Sequence, residues 1–519
     1  MNPFRHLMLA FEGTEVPGWL ADLLAVSPPA GLTLFREHNM SSPAQVNDLV
    51  AELQVMNTSG QPLLIAVDQE GGQLQGLIGS TPFPGNMALG AADDPDLTRR
   101  VARAMGEEIR AVGINLNYAP VADVVSRPRN PSLGVRGFGG DAGVVARHVA
   151  AAVIGYRDAG VLCTLKHFPG KGEARVDPHH ELPRMDLDRE RLDAVELAPF
   201  VAGFDAKADL VMTGHYSVPE ITGDDDLPVS MSQQAIGGFI RGQLGFSGLV
   251  ITDALDMGAL DQGAGQIVDI MASLAGGTDL LLCMPDADLR ERARIAVTRG
   301  VSRGLLDVAT LDRSAARVAA ARDRVTSDGT DPSKVGSHVD LADEAASRSL
   351  TLVRNDAGLL PLTLRSDTRV LVLEPKPTNV TPADTTALYP AHLADEVRGR
   401  HPTTTGVVYP HDPVSDEIAA LVGKAASHDV VIVGTVNATD GQADLVRALA
   451  RTTKALVTIA LREPQDLASY PEVATHIATY SSHQPSMRAV VSAILGQKTF
   501  PGRLPVAIPG LYAEGHGLT

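Results

Sequence analysis

Val161-Leu162-Cys163-Thr164-Leu165-Lys166-His167-Phe168-Pro169-Gly170 is the stretch that decides the fold class. Its first five residues form a short, unalternated and mostly apolar run, as a strand covered on both faces requires. The run stops abruptly in a Lys-His pair and passes into a Pro/Gly loop. Amphipathic segments, Val144–Asp158 and Asp188–Ala206, flank it on either side.

The same unit recurs along the first 330 residues. The apolar runs are Leu7–Phe11, Gly31–Phe35, Pro62–Asp68, Gly113–Asp123, Val161–Phe168, Leu210–Tyr216, Leu249–Leu255 and Thr278–Met284. Helix-like segments lie between them, among them Ser42–Asn57, Asp94–Val112, Ser232–Leu244 and Gln266–Ala275. Ser42 before Pro43, Asp94 before Pro95, and Ser232 are good helix caps. Repeated β-then-α units predict an α/β fold that opens with a (β/α)8 barrel over residues 1–330. The polar stretch Thr326–Ser333 marks its end, and a linker is expected over 331–345. From 346 to 519 a second pattern has runs at Leu350–Val353, Val370–Leu373, Val407–Tyr409, Val430–Gly434, Ala455–Ala460 and Ile477–Tyr480. Helical stretches Val414–Ala426, Gln442–Thr452 and Gln484–Leu495 intervene. This predicts a smaller, mostly parallel α/β sandwich. No Gly-x-Gly-x-x-Gly follows its Val430–Thr435 strand, which argues against a dinucleotide site.

A barrel of this type carries its site at the C-terminal ends of the strands. Those ends hold Asp68, Asp123, Lys166, His167, His215, Tyr216 and Asp253, whereas Pro62, Gly113, Val161 and Leu249 at the opposite ends are inert. Downstream of the opening stretch, Asp177-Pro178-His179-His180 adds a carboxylate two residues before an imidazole.

Composition excludes several classes. The formal net charge is −18 with no run of Lys or Arg, which disfavours nucleic acid and anionic membranes as partners. Cys163 and Cys283 each sit inside an apolar run, so no disulfide framework is expected. Leu7–Phe11 is too short for a signal h-region and no small-residue cleavage site follows it. No apolar run reaches the ~18 residues needed to span a bilayer. The cytoplasm is the expected compartment, and the composition leaves the oligomeric state open.

The strand-end residues suit retaining glycoside hydrolysis, which needs a nucleophile and a proton donor on either side of an acetal. Asp253, ending Gly248-Leu249-Val250-Ile251-Thr252-Asp253, suits the nucleophile. His179 suits the donor, since an imidazole titrates near ~6.5 in water. Asp177 would fix its tautomer and stabilise the imidazolium. Pro169, Gly170 and Gly172 make the connecting segment a loop able to close over a sugar. A metal hydrolase built on His167, His179, His180, His215 and Asp177 is disfavoured, because no His-x-His pair lies on one strand. No metal or cofactor is expected.

Motifs along nearly the whole chain sharpen this reading. They are Asp68-Gln69-Glu70-Gly71-Gly72, Asn117–Val124, Gly134–Gly139, Lys166–Gly170, Asp177-Pro178-His179, Met212–His215, Pro228–Ser232 and Thr252–Met257. Ser349–Asp356, Leu359–Leu362 and Gly502–Val506 continue the series. In that order the chain resembles family 3 glycoside hydrolases, specifically the bacterial β-N-acetylglucosaminidase branch. The resemblance implies Asp253 as nucleophile and the Asp177/His179 dyad as acid/base. It implies sugar binding by Asp68, Arg136, Lys166 and His167, with His215 near the −1 subsite. It also implies action on a small oligosaccharide or glycoside carrying β-linked N-acetylglucosamine, of the kind released in cell-wall (peptidoglycan) recycling, without metal.

Three departures from the family pattern bear on the substrate. Relatives show Gly-Gly-Arg-Val-x-Arg where this chain has Gly71-Gly72-Gln73-Leu74-Gln75-Gly76, so a substrate-facing arginine is missing. Lys171 stands where the loop has His, and Pro178 where it has Ser. Two enzymatic alternatives stay open: a phosphorylase that transfers the sugar to phosphate, and a β-glycosidase with altered sugar specificity. A binding protein with a decayed site is a third reading, opposed by the retained Asp177, His179 and Asp253.

Overall fold

The structure, a computed structural model, describes residues 2–326 and 329–519. Met1, Ser327 and Asp328 lie outside the described residues, and with them part of the polar stretch Thr326–Ser333.

Eight parallel strands close into a barrel: β1 (Leu7–Leu9), β2 (Gly31–Thr33), β3 (Leu64–Val67), then, beyond a small hairpin of β4 (Gln69–Gly71) and β5 (Leu74–Gln75), β6 (Leu116–Asn117), β7 (Leu162–Phe168), β8 (Leu210–Thr213), β9 (Leu249–Ala254) and β10 (Leu280–Cys283). Each expected run supplies one barrel strand. All seven residues of β7 are buried, as the unalternated run requires. Leu7 pairs with Leu281 and Met8 with Gly31, which closes the ring between first and last strands.

The expected caps are made. Ser42 accepts from the Gln45 amide, Asp94 from those of Asp96 and Leu97, and Ser232 from that of Ala235. The segment expected as one helix over 188–206 is broken. A short turn and a π-helical stretch, Leu192–Glu196, precede a helix at Ala198–Asp205. Pro199 explains the restart, because it lacks an amide hydrogen and fits only a first turn.

The N-terminal ends of the strands are not bare. Asp209 and Asp279 just precede β8 and β10 and are buried there. Asp209 accepts from the Cys163 amide, while Asp279 accepts from the Val250 amide and pairs with Arg241 and Arg317. These acids satisfy strand-end amides and hold neighbouring elements, a structural role that the apolar runs concealed.

Past the barrel, the expected linker region contains a short turn, Pro332–Lys334, and the helix Val339–Ser349. Arg100 of a barrel helix holds Glu344 of that helix through two hydrogen bonds of 2.8 and 2.6 Å. The second sheet runs β11 (Thr351–Asn355), β12 (Val370–Pro375), β13 (Thr404–Tyr409), β14 (Val430–Thr435), β15 (Leu456–Ala460) and β16 (Thr475–Ala478), in spatial order β11-β16-β15-β14-β12-β13. Only β11 is antiparallel. Met87, Ala88, Val121 and Leu133 of the barrel share one hydrophobic cluster with Leu371 and Val433 of the second sheet and Leu445 of a helix packed on it, so a common core fixes the interface.

Candidate active site

The strand ends on one face of the barrel converge on a cavity of about 560 Å³. Asp68, Arg136, Lys166, His167, His179 and Asp253 line it together. Asp253 is the fifth of six residues in β9, whose preceding four are buried. Its Oδ1 accepts from the Ala254 amide at 2.9 Å, which fixes the carboxylate on a rigid strand. Burial works against its ionisation, but His167, His215, Lys171 and the Ala254 amide outweigh it and hold the carboxyl below its ordinary range.

His179 and Asp177 sit on the loop after β7. The His179 Nδ1 lies 2.6 Å from Asp177 Oδ1, and the same oxygen accepts from the His179 amide at 3.0 Å. A carboxylate can only accept here, so Nδ1 carries the hydrogen and Nε2 is left for proton transfer. Burial raises the Asp177 pKa, yet these bonds to His179 prevail and hold the carboxyl below its ordinary range.

A continuous buried network makes the opposite wall. Lys166 Nζ lies 2.6 Å from both Asp68 Oδ1 and Glu70 Oε1. Arg136 grips Glu70 through bonds of 2.9 and 2.8 Å. His167 Nδ1 lies 2.8 Å from Asp123 Oδ2, while Asp123 Oδ1 accepts from the His167 and Lys171 amides. The His167 Nδ1 hydrogen therefore points at Asp123, and Nε2 accepts from Arg136 Nη2 at 3.4 Å. Burial pushes Asp68 and Asp123 up, whereas Arg136 and Lys166 overcome burial at Glu70 and hold it far below its ordinary range. Paired, hydrogen-bonded charges are the form in which buried ions persist.

His215 is placed differently from the other expected residues. It is wholly buried and does not line the cavity. Its Nε2 donates to the Ala254 carbonyl at 3.1 Å and its Nδ1 accepts from Ser230 at 2.8 Å. It braces the strand beside Asp253 from behind. Glu70 and Asp123 were visible in the sequence as a motif member and a strand end, but only the fold shows that each bridges two cavity-lining residues. Lys171 was visible only as a departure. It is buried at the cavity wall, and burial together with Arg136 lowers its amine to about 7, with Asp123 and Asp253 opposing.

The second domain completes the cavity. Asn379, Thr381, Pro382, Ala383, Asp384 and Thr385 line it opposite the barrel. Gln73 anchors this loop: its Nε2 donates to the Ala383 carbonyl at 2.8 Å, and its own carbonyl accepts from the Thr385 amide at 2.8 Å. Arg462 bonds both Gln73 and Asp384. Gln73, one of the two positions at which the family pattern leads one to expect arginine, thus faces the second domain. A side chain at Gly76 has no space, since a Cβ there would lie 2.4 Å from the Asp68 carbonyl.

Family models match both halves: the Glycosyl hydrolase family 3 N terminal domain over residues 19–321 and the family 3 C-terminal domain over 350–514. The chain belongs to glycosyl hydrolase family 3. Among solved structures, a family 3 β-N-acetylglucosaminidase from Paenibacillus sp. str. FPU-7 is similar, with a TM-score of 0.91, 34% identity and 98% of each chain covered. Among curated relatives, β-hexosaminidase A of Pseudoalteromonas piscicida is 34% identical over 381 residues, 67% of this chain. That alignment spans 63% of the relative's own length. A β-hexosaminidase of Xanthomonas euvesicatoria pv. vesicatoria (strain 85-10) is 36% identical over 291 residues, 54% of this chain and 84% of the relative. No cluster of three or more potential metal ligands occurs among the described residues, and no helix there is long and apolar enough to cross a membrane.

Proposed function

We propose that this family 3 chain is a retaining β-N-acetylhexosaminidase that hydrolyses terminal β-linked N-acetylglucosamine from small cell-wall-type or chitin-type fragments. One observation carries the reading: Asp253 on a rigid strand and His179 on a loop, held by Asp177, open onto one cavity. In the first step the Asp253 carboxylate attacks the anomeric carbon while His179 Nε2–H gives its proton to the leaving oxygen. A glycosyl ester and a free alcohol result. In the second step neutral His179 takes a proton from water, whose oxygen displaces Asp253 with a second inversion. Asp68, Lys166, His167 and Arg136 bind the sugar hydroxyls, and His215 positions the nucleophile's strand. The relatives' printed activities support the sugar assignment.

Phosphorolysis is a second reading, favoured by Lys171 and Arg136 at the cavity wall and by a neutral base that does not repel phosphate. An aryl β-N-acetylglucosaminide incubated with enzyme in phosphate buffer separates the two. Free sugar of retained β configuration supports hydrolysis, and sugar 1-phosphate supports transfer. No turnover by folded protein refutes both.

A further inference from the structure

A second cavity, of about 330 Å³, lies between the domains and is separate in its chemistry from the catalytic one. Its floor is set by topology. In chain order the five parallel strands of the second sheet are β12 to β16, and in space they run β16-β15-β14-β12-β13. After β13 the chain crosses to the other side of β12, so the carboxyl ends of β12 and β14 form a topological switch point. Open α/β sheets bind ligands in the crevice at that place. The residues following four strands meet there: Thr381 after β12, His411 after β13, Asn437 after β14, and Arg462 with Glu463 after β15. The barrel roofs the crevice with Gln73, Arg129 and Gly134.

The crevice contains unmet polar capacity. Arg462 is 3% exposed, and its Nε has no hydrogen-bond partner. Asn437 donates to Glu463 Oε1 at 2.9 Å, while its buried Oδ1 has none. Buried polar atoms without partners are costly, so each calls for a partner. Gly134 allows the approach of Glu463, since a Cβ there would lie 2.8 Å from Glu463 Oε1. Burial and the neighbouring Asp466 raise the Glu463 carboxyl to about 7, so it can donate as well as accept.

We propose that this interdomain crevice is a second ligand site for one neutral sugar ring. An unmatched donor, an unmatched acceptor and a carboxyl that can do either suit hydroxyl groups. Asp384 pairs with Arg462, which weakens the pull of that guanidinium on an anion, and no Phe, Tyr or Trp lines the crevice to stack a base. The volume lies at the lower end of the ~300–1,000 Å³ of small-ligand pockets. Thr381 lines both cavities, so a ring in the crevice bears on the wall of the catalytic one.

Calorimetric titration with N-acetylglucosamine tests the site without turnover. Wild type is expected to show two binding events. Asn437→Gly, which tolerates the left-handed φ of +46°, should weaken one event at least tenfold and leave the other within twofold. Arg129→Ala, on the exposed rim, should weaken the same event without affecting the fold. Asp68→Ala should remove only the other event. A single event lost in Asp68→Ala and untouched by the crevice variants overturns the proposal, as does an absence of binding. Failure of the hydrolase reading shows separately, as absence of turnover of the aryl glycoside.

Discussion

Lys171→Met removes an ammonium that burial has driven far from its ordinary titration. In the unfolded chain this amine titrates near 10.5, and in the folded protein it is lowered to about 7, by burial first, then by Arg136, against the pull of Asp123, Asp253 and Glu70. A tenfold change in proton affinity corresponds to about 1.4 kcal/mol, so the charged form carries a penalty of at most about 5 kcal/mol. Below pH 7 both states hold the proton and the folded protein bears the full penalty. Between about 7 and 10.5 only the unfolded chain holds it, so stability rises with pH. Above that window the penalty is gone. Methionine fills a similar volume and does not titrate. That value already includes the attraction to Asp123, Asp253 and Glu70, and methionine recovers only part of the penalty, so the variant should be more stable than wild type by about 2–4 kcal/mol at pH 6. At roughly 2 °C per kcal/mol for a domain of this size, the gap is several degrees. Scanning calorimetry of both proteins from pH 6 to 10 should show the gap closing as pH rises. A gap that stays constant, or widens, refutes the burial of a strained ammonium at the cavity wall.

Further tests address the chemistry. Asp253→Asn should lower kcat by a factor on the order of 10³ or more with an unchanged melting temperature, because the isosteric amide keeps the strand-end packing but cannot attack. His179→Ala should slow substrates with poor leaving groups by roughly 10²–10⁴ and activated aryl glycosides far less; equal losses on both would remove the proton-donor role. Asp177 and Asp253 are both held below the ordinary carboxylate range, so neither should give kcat/KM an acid limb above pH ~4. A pH-rate profile of wild type and Asp177→Asn checks this. Asp123→Asn should raise KM more than it lowers kcat, since it releases the His167 ring that lines the cavity; a pure kcat effect would contradict the binding role proposed for that ring.

The barrel was legible because parallel strands covered on both faces must be short and apolar, and eight such runs could be located without any contact being known. Asp68, Lys166, His167 and Asp253 were legible for a related reason: polarity at the end of such a run has only a strand mouth to occupy. Sequence patterning could not separate cavity-lining residues from their supports. His215 satisfies the same strand-end rule, yet it braces the Ala254 carbonyl from behind. Glu70 lies two residues from Asp68, and nothing local reveals that it bridges Lys166 and Arg136. Asp209 stands one residue before its run and Asp279 is the second residue of its own, and each satisfies an amide of a neighbouring strand, a contact that no local pattern shows.

By itself, then, the sequence determined the β/α order, the two-part architecture and the residue types available for acetal chemistry, all of which depend on local periodicity and on chemistry carried by single side chains. Only the tertiary structure decided what replaces the arginine expected at Gln73. That side chain turns to Ala383 and Arg462 and fastens a loop of the second domain across the catalytic cavity. The contact joins positions some 390 residues apart. Such a contact has no periodic signature, because it exists only once two separately folded sheets have buried a common core.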